Sequence, residues 1–173
     1  MKSIIPNKWL ARYGVVLAGT VLTLTAFSTA ATMVQASSQN SQHDRIAEKI
    51  LELQESDKRW IQINLSTQRL IAWEGGNPVY AIIISSGKSK TPTRVGTFAV
   101  QTKLKTTRMR GRDYDVPNVP YTMFYSGNYA IHGAYWHNRF GTPVSSGCVN
   151  LAVNHAKWLF KWASVGTPVI IHQ

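Results

Sequence analysis

The only cysteine in the chain, Cys148, lies in a Ser-Ser-Gly-Cys turn sixteen residues after His132. A thiol attacks a carbonyl carbon as the thiolate, and a cysteine with an ordinary pKa is mostly protonated at neutral pH. A nearby imidazole can accept that proton and so activate the nucleophile. His132 is the first candidate base because it ends an apolar strand and precedes a glycine, and His137, in a predicted loop, is the second.

The turn itself supplies another part of such a site. Gly147 precedes Cys148, and a nucleophile on a tight turn after glycine leaves its backbone N–H free to point at an oxyanion. A donor of that kind is worth on the order of 3 kcal/mol in the transition state. A helix predicted to begin near Leu151 adds a dipole that favours a thiolate and an oxyanion. The pattern therefore predicts an acyl-transfer site.

Two other roles for Cys148 compete with this one. A lone cysteine is often an inert core residue, but a core position is less expected in a turn after glycine. A zinc site needs three or four ligands at close spacing. Only His132, His137 and Cys148 lie nearby, and no carboxylate follows Asp115. We therefore expect no metal site.

The elements that position these residues are mostly strands. Alternating apolar residues predict strand, turn and strand over "WIQINLSTQRLIAW". The proline of "EGGNP" is expected to end pairing, and the apolar run "VYAIIISSG" predicts a buried central strand. "TFAVQTK" predicts a further strand, and the basic residues 105–118 predict a loop-like insert.

The last third of the chain completes the pattern. "PYTMFYSGNYAIHG" predicts two strands, "LAVNHAKWLFKWAS" has helical spacing, and "GTPVIIHQ" predicts a final strand. Seven or eight short strands with one helix after the cysteine predict a mainly β domain, either a sandwich or a barrel.

Residues 1–36 have the composition of an export signal. Lys2, Lys8 and Arg12 precede an uncharged apolar run that ends in Val-Gln-Ala, the small-x-small form that a signal peptidase recognises. A retained membrane anchor is the alternative, because the run exceeds twenty residues and is long enough to span a bilayer. Either interpretation places the rest of the protein outside the cytoplasm.

The remaining chain divides into two predicted parts and is basic. Residues 37–59 predict a spacer with a short helix whose N-cap is Asp44, and residues 60–173 predict the main domain. The chain has 19 Lys plus Arg and 8 Asp plus Glu, for a net charge of +11. An exported basic domain suits cell-wall polymers, carboxylated peptides or lipid head groups rather than nucleic acid, although positive charge also aids solubility.

Several sequence blocks resemble one known family. "HG" at His132 and "SSGCVN" from Ser145 to Asn150 resemble the signature of the L,D-transpeptidase (YkuD-like) catalytic domain. That signature is a histidine, a variable gap, and Ser/Thr-His-Gly-Cys followed by a hydrophobic residue and Asn or Arg. "VGTFAV" resembles the family's "TPxGxF" strand and "GTPVII" its closing strand, so the resemblance covers roughly residues 60–173.

The resemblance implies a mixed β-sandwich-like fold and an enzyme that acts on peptidoglycan stem peptides. Cys148 would attack the carbonyl of the third stem residue and expel the terminal D-alanine. The amine of a second stem peptide would then resolve the thioester into a 3-3 cross-link. His132 would be the general base and acid, oriented by the backbone carbonyl of Gly133, and Gly147 would form the oxyanion turn. The resemblance implies no metal or organic cofactor.

The same resemblance assigns candidate substrate-binding residues. Arg139 matches a basic loop position and would hold a substrate carboxylate, although a solvated loop arginine is an equal alternative. The other candidates are Tyr135, Ser145, Ser146 and Asn150. Nothing in the sequence predicts an oligomeric state.

Two positions depart from the family pattern. Ser146 stands where the family usually has histidine, which puts activity in doubt and keeps open a wall-binding module without turnover. Ala152 and Val153 replace Thr-Pro at the helix start, which weakens that end by about 1 kcal/mol unless Asn150 or Asn154 supplies a cap.

The acceptor of the acyl group also stays open. Water as acceptor would make the chain an L,D-carboxypeptidase, and a protein amine would make it an anchoring transferase.

Overall fold

The computed structural model describes residues 41–111 and 114–173, which form two helices and nine strands. The predicted signal or anchor, residues 1–36, lies outside these ranges. Within them, no helix is long and apolar enough to cross a membrane. The helices are α1 (residues 41–54) and α2 (Val153–Trp162). The strands are β1 (Arg59–Asn64), β2 (Arg69–Glu74), β3 (Asn77–Ile83), β4 (Gly96–Ala99), β5 (Thr102–Gly111), β6 (Tyr114–Ser126), β7 (Tyr129–Gly133), β8 (Val149–Leu151) and β9 (Pro168–His172).

The strands form two sheets, in the orders β3-β2-β1-β9-β4 and β5-β6-β7-β8. The C-terminal strand β9 lies between β1 and β4, parallel to β1. Apolar alternation determines which side chains turn inward, and residues from both sheets, among them Ile63, Met123 and Val149, meet in one buried core. The mainly β, sandwich-like fold with a helix after Cys148 is therefore confirmed.

The apolar run after the second turn is not a buried central strand. Strand β3 lies at the edge of its sheet, and its side chains Val79 and Ile83 are exposed. Pro78 does not end pairing but lies within β3, opposite Trp73. An edge strand tolerates proline because one side of its backbone has no ladder to complete.

The described residues of the basic segment, 105–111 and 114–118, are not a loop-like insert. It belongs to a long antiparallel hairpin of β5 and β6, whose register runs from Thr102 opposite Phe124 to Gly111 opposite Tyr114. Most side chains of β5 are exposed, so the segment lacks the apolar alternation that predicts a strand. Arg108 also pairs with Asp115 across the hairpin at 2.5 Å.

Helix α1, which the sequence assigns to the spacer, packs against the first sheet. Ile46 and Leu53 on the helix are buried with Trp60 and Ile170 in a second, smaller core. The helix therefore belongs to the compact unit of residues 41–173.

Helix α2 follows β8 directly and packs against β6 and β7. Its N-cap is Ala152, and no side chain caps this end, so neither asparagine replaces the missing hydroxyl. Its other end is held by Lys103 of β5, whose Nζ donates to the Phe160 carbonyl at 2.7 Å and to that of Ala163. The C-terminal end of the helix is thereby fixed to the second sheet.

Candidate active site

His132 and Cys148 come together because their strands are neighbours. Strands β7 and β8 are parallel, with Ile131 opposite Val149 and His132 opposite Asn150. Cys148 lies immediately before β8, two residues from Asn150. His132, Cys148 and Asn150 all line a single cavity of about 260 Å³.

The turn before Cys148 is held by Ser145. The Ser145 hydroxyl donates to the carbonyl of Cys148 at 2.5 Å and accepts the backbone N–H of Gly147 at 3.0 Å. Gly147 has a φ of +119°, and a Cβ there would lie 2.8 Å from the Tyr129 ring. Glycine is therefore required for both its backbone conformation and the space. Because its N–H is engaged by Ser145, Gly147 contributes the bend of the turn rather than a free donor.

A neighbouring loop supports the turn from its other side. The Thr93 hydroxyl donates to the carbonyl of Gly147 at 2.9 Å and accepts the N–H of Gly87 at 2.9 Å. A Cβ on Gly87 would lie 2.9 Å from the Cα of Gly147 and even closer to the backbone at Thr91. The close approach of two backbones thus fixes the position of the cysteine turn.

His132 is buried in the tautomer that a general base needs. Its Nδ1 lies 3.0 Å from the carbonyl of Gly133, and a carbonyl only accepts, so Nδ1 carries the proton. Nε2 is then the nitrogen that can accept one. Burial lowers the pKa of His132 to about 4, although the Gly133 hydrogen bond partly opposes this. The ring is therefore neutral at physiological pH.

The Cys148 thiol is partly buried and neutral at rest. Burial raises its pKa, and a hydrogen bond from the backbone of Ala130 offsets part of this effect. The Sγ atom also lies 3.7 Å from the carbonyl oxygen of Asn128, to which the thiol donates. Cys148 and His132 are thus a neutral thiol and a neutral imidazole rather than an ion pair.

The structure places most of the predicted substrate-binding residues around this cavity. Arg139, Ser145, Ser146 and Asn150 line it, whereas Tyr135 does not. The Tyr135 side chain is exposed, and its hydroxyl donates to the carbonyl of Pro117 at 2.7 Å. Tyr135 therefore contacts the β6 strand beside the cavity.

Sequence reasoning missed part of the cavity wall. The β5–β6 hairpin, where the sequence predicts a loop, contributes Met109, Tyr114 and Val116. The signal that would have revealed it is weak, since only Lys103, Thr107 and Met109 are half-buried in the otherwise exposed strand β5. Trp136, His137 and Val144 complete the lining from the loop between β7 and β8.

His137 does not have a free ring nitrogen for the thiol. The backbone N–H of Arg139 donates to its Nδ1 at 3.2 Å, and its Nε2 lies 2.9 Å from the side-chain amide of Asn150. Of the two candidate bases, His132 is the one whose second nitrogen has no protein partner in the described ranges. Residues 41–111 and 114–173 contain no group of three or more His, Cys, Asp or Glu that could hold a metal ion.

Comparison with known proteins gives a family match. The family model of the L,D-transpeptidase catalytic domain, YkuD, matches residues 58–171. The Bacillus subtilis protein YciB is 28% identical over 141 residues, which cover 65% of this chain and 64% of YciB. The chain spans less than two thirds of the length of the curated relatives it matches.

Solved structures give the same result. The catalytic domain of the Enterococcus faecium L,D-transpeptidase is 28% identical with a TM-score of 0.61, and the match covers 68% of this chain and 98% of that domain. The L,D-transpeptidase LdtMt1, solved in complex with imipenem, is 25% identical with a TM-score of 0.63, covering 68% of this chain and 60% of LdtMt1. The family model matches most of the chain, and the solved structures share its fold. This chain therefore belongs to the L,D-transpeptidase catalytic domain family.

Proposed function

We propose that this chain is an exported cysteine L,D-transpeptidase that forms an acyl-enzyme on Cys148 and transfers the acyl group to an amine in peptidoglycan. The observation that carries the proposal is that Cys148 and His132 line one cavity, with the imidazole held by Gly133 so that Nε2 can accept a proton. Family membership supports the transpeptidase class. The basic and apolar composition of residues 1–36 supports export.

In the first half-reaction, the thiol proton passes to Nε2 of His132 as Sγ attacks the carbonyl carbon of the third stem residue. The new C–S bond forms, and the carbonyl oxygen becomes an oxyanion beside the cysteine turn. A backbone N–H of that turn is expected to donate a hydrogen bond to the oxyanion. Collapse of the tetrahedral intermediate breaks the bond to the terminal D-alanine. The imidazolium returns its proton to the leaving amine, and a thioester remains on Cys148.

In the second half-reaction, the side-chain amine of another stem peptide attacks the thioester and loses its proton to Nε2 of His132. The C–S bond breaks, the thiolate takes that proton back, and a 3-3 cross-link is released. The pKa of His132, about 4, keeps the ring unprotonated and ready for both steps at neutral pH. The thiol transfers its proton only when a carbonyl is in place, because burial disfavours the free thiolate.

Intact-protein mass spectrometry tests the proposal. The full chain is incubated with a tetrapeptide-containing muropeptide or with imipenem, and the expected result is a covalent adduct on Cys148. Cys148→Ala should abolish the adduct, and His132→Ala should slow its formation by two orders of magnitude or more. Chromatography of the muropeptide products then identifies the acceptor as a stem peptide, water or a protein amine.

Thr67→Ala, a substitution in the exposed β1–β2 turn, is the matched control and should acylate at the wild-type rate. No adduct on the wild-type chain, under conditions in which a known transpeptidase reacts, would instead support a wall-binding module without turnover. An adduct that persists in His132→Ala but disappears in a His137 variant would mean that the base has been misassigned.

A further inference from the structure

The buried base has an aromatic neighbour that also lines the cavity. The ring centroids of His132 and Trp136 lie 5.7 Å apart, with an angle of 33° between the ring planes. Both residues line the same cavity of about 260 Å³. His132 is 2% exposed, whereas Trp136 is 40% exposed. The indole therefore contacts the imidazole and is itself in contact with the solvent from which the imidazole is withdrawn.

Trp136 is braced by the residue before it. The rings of Tyr135 and Trp136 meet edge to face, with centroids 5.0 Å apart and an angle of 89°. This is one of the preferred arrangements of an aromatic pair. The Tyr135 hydroxyl donates to the carbonyl of Pro117 on β6 at 2.7 Å. Tyr135, which the sequence assigns to substrate binding, thus joins the loop that carries Trp136 to strand β6.

Burial, rather than a neighbouring charge, has the largest effect on the His132 ring. Within the described ranges, the other charged or titratable residues that line the cavity are Tyr114, His137, Arg139 and Cys148. Those on β6 and α2 that do not line it are packed in the core, bonded elsewhere or exposed: Asp115, Tyr121, Tyr125, His155, Lys157 and Lys161. Burial is the main cause of the low pKa of His132, ahead of the opposing hydrogen bond to Gly133 and of the charge of His137. The side chains that bury the ring therefore determine its protonation.

We propose that Trp136 is a positioning residue whose indole covers the His132 ring and keeps water from it, and that Tyr135 holds the indole in place through its bond to β6. A ring without contact to water stays neutral, as a general base must before the thiol transfers its proton. The cover itself rests on the ring contacts, whereas its effect on acylation rests on the proposed function.

Nuclear magnetic resonance of the full chain labelled with 15N tests the cover without any turnover. Titration of the His132 ring signals, assigned by their loss in His132→Gln, should give a midpoint at a pH of about 4 in the wild type. Because Trp136→Ala lets water reach the ring, we expect the midpoint to rise to about 5 or higher. Leu51→Ala, which shortens an exposed apolar side chain on α1, is the matched control and should keep the wild-type midpoint.

Two results of this titration would contradict the cover. An unchanged midpoint in Trp136→Ala would mean that other residues keep water from the ring. A lower midpoint would mean that the indole instead stabilises the imidazolium by a cation–π contact. If Trp136→Ala unfolds before the titration is complete, exchange of the His132 Nδ1 proton with water at pH 7 replaces it. We expect that exchange to be at least about tenfold faster in the variant, and an equal rate would contradict the cover.

Two conservative variants separate the indole from its brace. Trp136→Phe keeps a smaller ring against His132, so its midpoint should lie between those of the wild type and Trp136→Ala. Tyr135→Phe keeps the edge contact but removes the hydroxyl that bonds to Pro117. It should also raise the midpoint, by less than Trp136→Ala does. A wild-type midpoint in Tyr135→Phe would overturn the role given to Tyr135.

The pH profile of acylation by imipenem connects the cover to the reaction. A protonated imidazole cannot accept the thiol proton, so the acylation rate falls as the pH decreases through the pKa of the base. We expect the acid limb of the Trp136→Ala profile to move to higher pH by the same amount as the His132 midpoint. An acid limb that stays in place while the midpoint moves would contradict the proposed role of His132 as the base, and the moved midpoint would still support the cover.

Discussion

His132 and Asn150 are register partners in the parallel strands β7 and β8, and Cys148 lies two residues before Asn150. Parallel neighbours need a connection of a dozen or more residues to return the chain to the same end of the sheet. Residues 134–148 provide that connection, and they carry Arg139 and the cysteine turn. The sixteen-residue spacing between His132 and Cys148 is thus a consequence of parallel pairing.

The buried imidazole of His132 should make the protein's stability depend on pH. Its pKa is about 4 in the folded chain and near 6.5 in the unfolded chain. Between pH 6.5 and pH 4 the unfolded chain therefore binds a proton that the folded chain does not bind. The contribution to the free energy of unfolding is complete above pH 6.5. It decreases by about 3 kcal/mol in total as the pH falls toward 4. Urea unfolding of the wild type and of His132→Gln at pH 7.5 and pH 4.5 measures the difference. Identical pH dependence in the two proteins would contradict the buried neutral ring.

The Cys148 thiol should react slowly with a small alkylating agent. Because burial raises its pKa, the thiolate fraction at pH 7 is lower than that of an ordinary cysteine. We expect the rate of iodoacetamide alkylation to keep rising with pH beyond 9, the ordinary value, without a plateau near neutrality. Glutathione under the same conditions is the reference for an unburied thiol. A plateau below pH 7 would indicate a resting thiolate–imidazolium pair.

Gly147→Ala should damage both the turn and the chemistry. The substitution places a Cβ 2.8 Å from the Tyr129 ring and forces alanine to a φ of +119°. We expect a loss of about 2 kcal/mol or more in the free energy of unfolding and an acylation rate at least tenfold lower. Gly127→Ala is the matched control, since that glycine also has positive φ but has no atom within 4 Å of an added Cβ. A smaller loss in Gly147→Ala than in Gly127→Ala would contradict the steric argument.

Lys103→Met should loosen the C-terminal end of α2. The substitution keeps most of the aliphatic stem but removes the ammonium that donates to the carbonyls of Phe160 and Ala163. Because these carbonyls close the helix, we expect a loss of about 1–3 kcal/mol in the free energy of unfolding. Amide hydrogen exchange should increase in the last turn of the helix. Lys105→Met, at an exposed position on the same strand, should change stability by less than about 0.5 kcal/mol.

Tyr125→Phe should leave the fold intact or stabilise it. The Tyr125 hydroxyl is buried and has no hydrogen-bond partner in the described ranges, and burial strongly raises its pKa. Removing an unsatisfied buried hydroxyl avoids a desolvation cost of about 1–3 kcal/mol. Thermal unfolding should therefore give an unchanged or higher Tm. A clear loss of stability would mean that the hydroxyl has a partner, such as a buried water.

The sequence alone identified the strands whose two faces have different surroundings. β2, and β1 from Ile61 onward, alternate between buried and more exposed positions, so their period is visible. The β5–β6 hairpin could not be found in this way, because most side chains of β5 are exposed and backbone pairing holds it to β6. The edge position of β3 also escaped prediction, since an apolar run does not reveal which neighbour a strand will lack.

The assignment of Cys148 as nucleophile and His132 as its base stays a prediction, and it rests on residue types and on the glycines beside them, because a nucleophile on a turn and a base at a strand end are local features. The tertiary structure decided what distant parts of the chain contribute. Thr93 and Gly87 support the turn, Met109 and Tyr114 wall the cavity, and Asn150 holds the His137 ring. These contacts depend on strand register and sheet order, which arise from the packing of the whole chain and leave no trace in the sequence spacing of the residues that meet.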